Sequence, residues 1–494
     1  MVDKSRQVLT RRSFLGLTAA GLAAVVAGCA PAAVPSPTAA PKPAETAKPA
    51  APAATQAPKP MATPAPAATQ APVQAGAAKP FAGVTLHAAM YEHTFGNALK
   101  PYIPEFEQQT GMKVNFEMYG FAVYNQRSDL ELGTKGSAYD VLSVTFIYAG
   151  RWIGAGWFTN LEDFIKDKNK TPSDWDPEDF PAGVMRVLKD AKGDRYGFPW
   201  NVEAMIGCAG RYDIIEKAGF KLPATFDDLL KLLPAIHDKE GVKAYTIHSN
   251  SHWLWIPFLM GYGGKVFKNP PENLTPMLDT PEAIQAADVY ATIIRKYTPE
   301  GALSYTDEQM IQAQMQGRAN VGLNSIPWHA MVGDPARSQV AKTAAYFPYP
   351  AGPKGAFPGL GVHGLGIPVG AKKKDASWEF IKWALSKDTL KKIVLEKGYP
   401  APSRVSTGSI PEVKQKLTIN GYNLADMYVK VCDLVDKGNY MVYRWTPVFP
   451  QAGTAINKAI QTIVTQQMSA EAAMKQAQSE LVADIKKAGI KIDV

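Results

Sequence analysis

Hydrophobic patterns typical of strands and helices alternate along the chain from residue 83 onwards. Apolar runs at 83–91, 112–119 and 139–146 predict strands. Apolar residues at helical spacing predict a helix at 96–110, with Gly111 as its stop signal. Strands that alternate with helices favour an α/β fold with a mostly parallel sheet.

Ligands of such sheets bind beyond the carboxyl ends of the strands. The segments that leave the first and third predicted strands are 90–94 and 144–148. Candidate ligand-binding residues in or beside these segments are Tyr91, Glu92, His93, Thr145 and Tyr148.

Two further helices are predicted towards the carboxyl terminus. Residues 375–388 place their apolar side chains on one face, and residues 469–489 do the same with Ser469 as a candidate cap.

The first 28 residues have the pattern of an export signal. Paired arginines in TRRSFLG at 10–16 precede an apolar run of about 15 residues, which is shorter than the roughly 20 that a membrane-spanning helix needs. The arginine pair is typical of twin-arginine signals. VAGC at 26–29 resembles a lipobox, which predicts that Cys29 receives a diacylglyceryl group. The alternatives are the general export route and an Ala-rich signal that ends near a cysteine by chance.

Residues 29–80 are predicted to be a disordered tether. They are rich in Ala and Pro, hold 13 of the 39 prolines, and repeat APAATQAP at 51–58 and 65–72. They contain too few large apolar side chains to offset the entropy lost on folding.

The net charge of +8 belongs mostly to these terminal segments. Residues 1–28 and 29–80 contribute +3 each, which leaves +2 for residues 81–494. A nearly balanced surface does not favour nucleic acid as a partner.

The remaining 414 residues exceed one ordinary core, so two domains are predicted. Cys208 and Cys432 lie in apolar stretches, which favours two buried free thiols. Spacing alone leaves a disulfide between them open.

The order of motifs in residues 81–494 resembles the extracellular solute-binding proteins of ABC transporters, the sugar-binding group that includes maltose-binding protein. Phe226 stands where this family usually has Trp, and Arg211 stands where it often has Asn or Lys. The motifs that carry the resemblance are FEQQTGMKV at 106–114, YDVLSVTF at 139–146 with AGWFTNLEDFI at 155–165, YGFPWNVEAMIGCAGRYDIIEKAGFKLPATFDDLL at 196–230, MQGRANVGLNSIPWHA at 315–330 and GLGIPVGAKKKDASWEFIKWAL at 364–385.

The resemblance implies a periplasmic-binding-protein-like fold, with two α/β lobes joined by a hinge and a ligand cleft between them. The N-terminal lobe would hold residues 81–202 plus 360–400. The C-terminal lobe would hold residues 203–359 plus 401–494.

A sugar site needs aromatic rings that stack on C–H faces and polar groups that bond hydroxyls. Trp328 matches a position that stacks on sugar in the family, and Glu203 matches a glutamate that bonds sugar hydroxyls. Trp200 lies in the segment that crosses between the lobes. The alternatives are packing between lobes for the tryptophans and an ion pair for Glu203.

The remaining candidates are Trp253, Trp255, His363 and Trp445. If HSNSHWLW at 248–255 is extended, at most one of its two tryptophans faces a ligand. GLGVHG at 359–364 lacks the helix of a phosphate site and is interpreted as flexible backbone between lobes. His248 and His252 lack the glutamate of a zinc motif and are expected to be structural or hydrogen-bonding residues.

The sequence therefore predicts a lipid-anchored substrate-binding protein that delivers a carbohydrate or polyol to ABC permease subunits by hinge closure. We expect a monomer on the outer face of the cell membrane, held there by lipid on Cys29, and no enzyme, cofactor, metal or nucleic-acid partner. The alternatives are a secreted glycan hydrolase or lyase, and a receptor for polyamine or iron. An acidic pair with one raised pKa in the cleft would favour the hydrolase, and a slot lined with carboxylates would favour a polycation.

Overall fold

The computed structural model describes residues 79–438 and 440–493. The predicted signal peptide, Cys29 and the tether up to residue 78 lie outside the described residues. The strands are β1 (Thr85–Tyr91), β2 (Lys113–Tyr119), β3 (Val141–Thr145), β4 (Phe198–Ala209), β5 (Lys243–Thr246), β6 (Phe267–Asn269), β7 (Asn273–Pro276), β8 (Ala319–Ser325), β9 (Ala345–Phe347), β10 (Leu360–Gly366), β11 (Thr418–Ile419) and β12 (Tyr422–Asn423).

Helices surround these strands. The α-helices are α1 (Thr94–Leu99), α2 (Ile103–Thr110), α3 (Phe121–Gly133), α4 (Phe146–Gly154), α5 (Glu162–Lys166), α6 (Ala182–Met185), α7 (Tyr212–Lys217), α8 (Phe226–Ile236), α9 (Ser251–Leu254), α10 (Ile256–Gly261), α11 (Pro281–Tyr297), α12 (Asp307–Met315), α13 (Ile326–His329), α14 (Lys374–Ala384), α15 (Lys387–Lys397), α16 (Val405–Ser409), α17 (Pro411–Lys416), α18 (Leu424–Gly438), α19 (Phe449–Val464) and α20 (Ala470–Lys487). Turns of 3-10 helix lie at Lys100–Tyr102, Ser173–Trp175, Pro177–Asp179, Arg186–Leu188, Ala302–Ser304, Ala330–Gly333 and Tyr440–Trp445.

The main sheet has the strand order β2-β1-β3-β10-β4-β8-β5, with β9 also paired to β4. The predicted strands β1, β2 and β3 are confirmed, and they pair in parallel. The prediction of a mostly parallel sheet is wrong, because β10 runs antiparallel to both β3 and β4, and β4 runs antiparallel to β8 and β9.

Strand β4 belongs to both halves of the sheet. Its first part, from Phe198 to Ala204, pairs with β10. Its second part, from Met205 to Ala209, pairs with β8, and β9 pairs with the last three of these residues. One continuous strand therefore crosses the molecule where the family resemblance predicts a crossing segment.

Strand β10 contradicts the interpretation of GLGVHG as flexible backbone, because every residue of it is buried in the sheet. Its glycines allow neighbours to approach closely. A Cβ at Gly364 would lie 2.6 Å from Leu188 Cδ1, and one at Gly366 would lie 2.7 Å from the Tyr196 carbonyl oxygen. Here glycine marks tight packing in a strand.

The helix predicted at 96–110 is interrupted. Pro101 lies in the 3-10 turn between α1 and α2, and Pro104 lies in the first turn of α2. Proline has no N–H to continue the helical hydrogen bonds, which explains the break. Gly111 ends α2 in the left-handed conformation, with φ of 80°, as predicted.

The helix predicted at 469–489 is confirmed as α20. The helix predicted at 375–388 is confirmed as α14 up to Ala384, but the Ser386 side chain caps a separate helix, α15, that begins at Lys387. The Ser469 side chain accepts a hydrogen bond from the Ala472 N–H, which caps α20.

Cys208 and Cys432 are buried free thiols, as expected. Contacts hold the described residues, 79–438 and 440–493, together as one unit. The predicted lobe boundaries stay a prediction. Within the described residues, no helix has the length and apolar character needed to cross a membrane.

Candidate functional site

A cavity of about 390 Å³ opens beside the middle of the main sheet. Residues from both halves of the sheet meet in it, most of them just beyond the carboxyl ends of parallel strands. This is where α/β sheets bind ligands. Its lining consists of Tyr91, Glu92, His93, Thr94, Phe121, Phe146, Ile147, Glu203, His248, Asn250, His252, Trp253, Asp307, Pro327, Trp328 and His363.

The first half of the sheet supplies one wall. Tyr91 ends β1, and His93 caps α1 by accepting a hydrogen bond from the Phe95 N–H at its Nδ1. Phe121 begins α3 after β2, and Phe146 begins α4 after β3. The turns that follow three adjacent parallel strands therefore face the same space.

The second half supplies the opposite wall. His248, Asn250, His252 and Trp253 follow β5, while Pro327 and Trp328 follow β8. Asp307 is the first residue of α12. His248 Nδ1 accepts a hydrogen bond from the Asn250 N–H, so the neutral ring carries its proton on Nε2, which lies 3.4 Å from Asp307 Oδ1.

Glu203 lies on the crossing strand β4 between the two walls. Gly361 on β10 makes room for it, because a Cβ there would lie 2.8 Å from Glu203 Oε2. Asn201 Nδ2 donates to Glu203 Oε1 at 3.4 Å and to Tyr91 Oη at 3.3 Å. Tyr399 donates to Asn201 Oδ1 at 2.8 Å, which fixes the orientation of the amide.

Burial and, second to it, the charge of Asp307 raise the pKa of Glu203 to about 7. The charge of Arg444 and the hydrogen bond from Asn201 act in the opposite direction. The carboxyl group is thus close to half ionised at neutral pH.

Four of the seven histidines of the chain line this cavity. Burial lowers the pKa of His93 and of His252 to about 3. Burial also lowers the pKa of His248 and of His363. All four rings are neutral at neutral pH, so each offers one hydrogen-bond donor and one acceptor.

Aromatic rings form much of the remaining surface. Trp253 and Phe146 pack with ring centroids 5.9 Å apart, and the guanidinium of Arg444 lies 4.2 Å from the Trp253 centroid. Arg444 is itself buried behind these rings. Trp328 is half-buried at the other side of the cavity.

Seven of the predicted binding residues line the cavity. They are Tyr91, Glu92, His93, Glu203, Trp253, Trp328 and His363. Residues 251–254 form helix α9 instead of an extended segment, and of the two tryptophans there Trp253 lines the cavity while Trp255 is fully buried.

The structure places the other predicted residues away from the cavity. Thr145 is buried and donates a hydrogen bond to Asn125 Oδ1 at 2.8 Å. Tyr148 stacks on Trp152 at 5.3 Å. Trp200 lies behind the first wall, with its ring 5.1 Å from Tyr91 and its Nε1 donating to Ser143.

Trp445 packs its backbone against α4, where a Cβ at Gly150 would lie 2.8 Å from the Trp445 carbonyl oxygen. Phe121, Phe146 and Asp307 line the cavity although the sequence did not single them out. Asp307 resembles an ordinary first-turn acid, since Thr306 and Gln309 form a capping box around it.

Replacing Glu203 by Gln is expected to change how stability depends on pH. The folded protein holds the Glu203 proton with a pKa of about 7 against an ordinary value of 4.5. Between these values the folded state binds more protons than the unfolded state. The free energy of unfolding of the wild type therefore falls as the pH rises, until Glu203 is ionised in the folded protein above pH 7. The variant should gain up to about 3 kcal/mol over wild type between pH 5 and pH 8.

Urea denaturation of wild type and Glu203→Gln between pH 5 and pH 8 measures the difference in their free energies of unfolding. The effects of the other titrating groups cancel in this difference. Exposed Glu308 lies beside Asp307 in the chain but does not line the cavity, so Glu308→Gln is the control. A constant difference between wild type and Glu203→Gln would show that Glu203 titrates normally.

The sequence of this chain is similar to those of known binding proteins. A sequence profile of the bacterial extracellular solute-binding proteins matches residues 92–391. Mannitol-binding protein of Pseudomonas aeruginosa is 24% identical over 384 residues, which cover 74% of this chain and 85% of that protein. The erythritol/L-threitol-binding protein of Mycolicibacterium smegmatis is 21% identical over 341 residues, covering 66% of this chain and 71% of that protein.

Solved structures show the same fold. The ABC transporter solute-binding protein of Agrobacterium radiobacter K84, crystallised with ribitol, has a TM-score of 0.71 and 22% identity. The match covers 82% of this chain and 99% of that one. The fold is therefore that of the periplasmic binding proteins, with two α/β lobes and a cleft between them.

The chain belongs to the bacterial extracellular solute-binding protein family, as the sequence motifs predicted. The family and these relatives are binding proteins rather than enzymes. Membership also places the folded part of the chain outside the cytoplasm.

Proposed function

We propose that this protein is the lipid-anchored substrate-binding protein of an ABC importer, and that its ligand is a small carbohydrate or polyol. The observation that carries this proposal is the cavity itself, where aromatic rings stand beside carboxyl groups and neutral imidazoles. Rings stack on the C–H faces of a sugar, while carboxylates and imidazoles bond its hydroxyls. The polyols named for the relatives agree with this chemistry.

Capture would proceed by closure of the two walls on the ligand. Each half of the sheet contributes one wall, and β4 crosses between the halves and carries Glu203 near the centre. A ligand that contacts both walls favours the closed form by its extra contacts there. The closed form would then dock on the permease subunits and release the ligand to them.

A thermal-shift screen of the mature chain tests the ligand class. D-Mannitol, ribitol, erythritol and maltose are compared with spermidine and ferric citrate. A ligand present at 100 times its Kd should stabilise the protein by about 2.7 kcal/mol, which appears as a raised Tm. Stabilisation by spermidine or ferric citrate with no response to any sugar or polyol would overturn the proposal.

Replacing Cys29 by Ser should release the protein from membranes, because the thiol is the proposed lipid attachment site. VAGC at 26–29 and the tether that follows support this anchor. Cell fractionation followed by immunoblotting compares the variant with wild type, and Cys208→Ser is the control because that thiol is buried in the folded part. Retention of Cys29→Ser in the membrane fraction would contradict the lipid anchor.

A glycan hydrolase is the second candidate, since Glu203 has a raised pKa and shares the cavity with Asp307. An acid that keeps its proton at neutral pH, paired with a second carboxylate, is the arrangement that glycosidases use. We expect no turnover of aryl glycosides or maltose. Hydrolysis that Glu203→Gln abolishes would favour the enzyme instead.

A further inference from the structure

The charges that line the cavity are of one sign. Glu92, Glu203 and Asp307 contribute carboxyl groups, while no Lys or Arg of the described ranges lines it. The guanidinium of Arg444 is buried behind Trp253 and Phe146, 4.2 Å and 4.9 Å from their ring centroids. Three carboxyl groups thus line the cavity, while this cation behind the wall is covered by aromatic rings.

Two of these carboxyl groups repel each other. Glu203 on β4 and Asp307 at the start of α12 line the same cavity, and the charge of Asp307 raises the pKa of Glu203. The side chains in contact with them are neutral: Asn201 and His363 lie beside Glu203, and Asn324 and His248 lie beside Asp307. The charge of Arg444 acts on Glu203 in the opposite direction to that of Asp307 and offsets it only in part. A cation between them would relieve this repulsion.

One buried nitrogen at the same cavity has no hydrogen-bond partner within residues 79–438 and 440–493. It is Nδ1 of His363, a residue that is 1% exposed and lines the cavity. Buried polar groups in folded proteins are normally hydrogen-bonded, so this nitrogen indicates a ligand that carries a hydrogen-bonding group.

The walls suit a cation as well as a sugar. Trp328 and Trp253 present aromatic surface to the same space as the carboxyl groups. The face of an aromatic ring attracts an ammonium group as well as the C–H bonds of a sugar. The cavity therefore combines features of a polyol site with features of an amine site.

We propose that the natural ligand is a polyhydroxylated amine, an amino polyol or amino sugar, whose ammonium group lies between Glu203 and Asp307. This inference rests on the proposed function, since it specifies the ligand class of the same site. The hydroxyls of the ligand bond the neutral imidazoles, and its carbon chain lies against the tryptophans.

Two matched pairs of ligands test the inference: D-glucitol against D-glucamine, in which an amine replaces one terminal hydroxyl, and D-glucose against D-glucosamine. D-Gluconate adds the opposite charge on the same carbon chain. Titration calorimetry at neutral pH should show the amine of at least one pair binding roughly tenfold more tightly than its neutral partner, with gluconate weakest.

The variants Glu203→Gln and Asp307→Asn should reduce that amine preference to near one, while Glu308→Gln keeps it. The ratio of the Kd values of the neutral ligand and the amine in the wild-type protein decides the inference by itself. A variant that fails to fold therefore does not remove the test. If each amine binds no more tightly than its neutral partner, this inference is wrong and the proposed function stands. If no polyol, sugar or amine binds, both are wrong.

Discussion

Replacing Arg404 by Ala is expected to lower the free energy of unfolding by about 3–5 kcal/mol. Arg404 is fully buried, and its guanidinium donates to the carbonyl oxygens of Leu385 at 2.6 Å and Asp176 at 2.8 Å. It also donates to Asp179 Oδ2 at 3.3 Å, and that carboxyl side chain is only 7% exposed. Alanine would remove the Arg404 charge from this buried carboxylate, which would keep hydrogen bonds from the Ser406 N–H and hydroxyl and a longer contact of 3.9 Å with Lys387 Nζ.

The loss of packing adds to the loss of charge. The Arg404 guanidinium lies 4.6 Å from the Trp175 ring and 4.3 Å from the Phe180 ring, so alanine also opens a space between two aromatic side chains. Both effects act in the folded state and point in the same direction.

Urea denaturation of the ligand-free protein measures the change. Lys458 forms an ion pair with Glu480 in which the two side chains are 56% and 38% exposed, so Lys458→Ala should cost at most about 1 kcal/mol. The double variant Arg404→Ala with Asp179→Asn should recover part of the lost free energy of unfolding, because it also removes the carboxylate charge that Arg404 pairs with. A loss for Arg404→Ala no larger than that for Lys458→Ala would show that the buried network contributes little.

Replacing Trp328 by Ala is expected to weaken ligand binding roughly 10- to 100-fold, about 1.4–2.8 kcal/mol. Trp328 is half-buried in the free protein and lines the cavity just after β8. Its ring has surface left to cover, and a sugar or polyol that lies on it buries that surface. Stability without ligand should change less, because the side chain is only partly packed.

Titration calorimetry with the ligand that gives the largest thermal shift measures this effect. Trp383 is the matched control, since it is also half-buried but packs on Phe106 at 4.8 Å, outside the cavity. Trp383→Ala should leave the Kd unchanged. Equal Kd values for Trp328→Ala and wild type would mean that the ring does not touch the ligand.

Local patterns in the sequence were sufficient to predict the strands of the first half of the sheet. Hydrophobic runs identified β1, β2 and β3, and Gly111 ended α2 as its position suggested. Because parallel strands end at one edge, the same patterns placed Tyr91 and His93 at the cavity. Glu203 and Trp328 came from the family resemblance instead, and no pattern of spacing would have found them.

Other positions depend on contacts between distant parts of the chain. Strand β10 was missed because glycine has a low preference for strands, and only the packed neighbours show why glycine is required there. Asp307 was missed because its local setting is that of any acid in a first helical turn. Thr145 follows the strand-end rule in sequence, yet its side chain points to Asn125.

The position of β10 has a consequence for the order of events in biosynthesis. This strand lies between β3 and β4, but it is made more than 150 residues after β4. A nascent chain that stops before Leu360 lacks the strand that joins the first three strands to the crossing strand. The amino-terminal part therefore cannot complete its sheet while only the residues before Leu360 have been made, and the edges of β3 and β4 that β10 covers stay unpaired until that strand is synthesised.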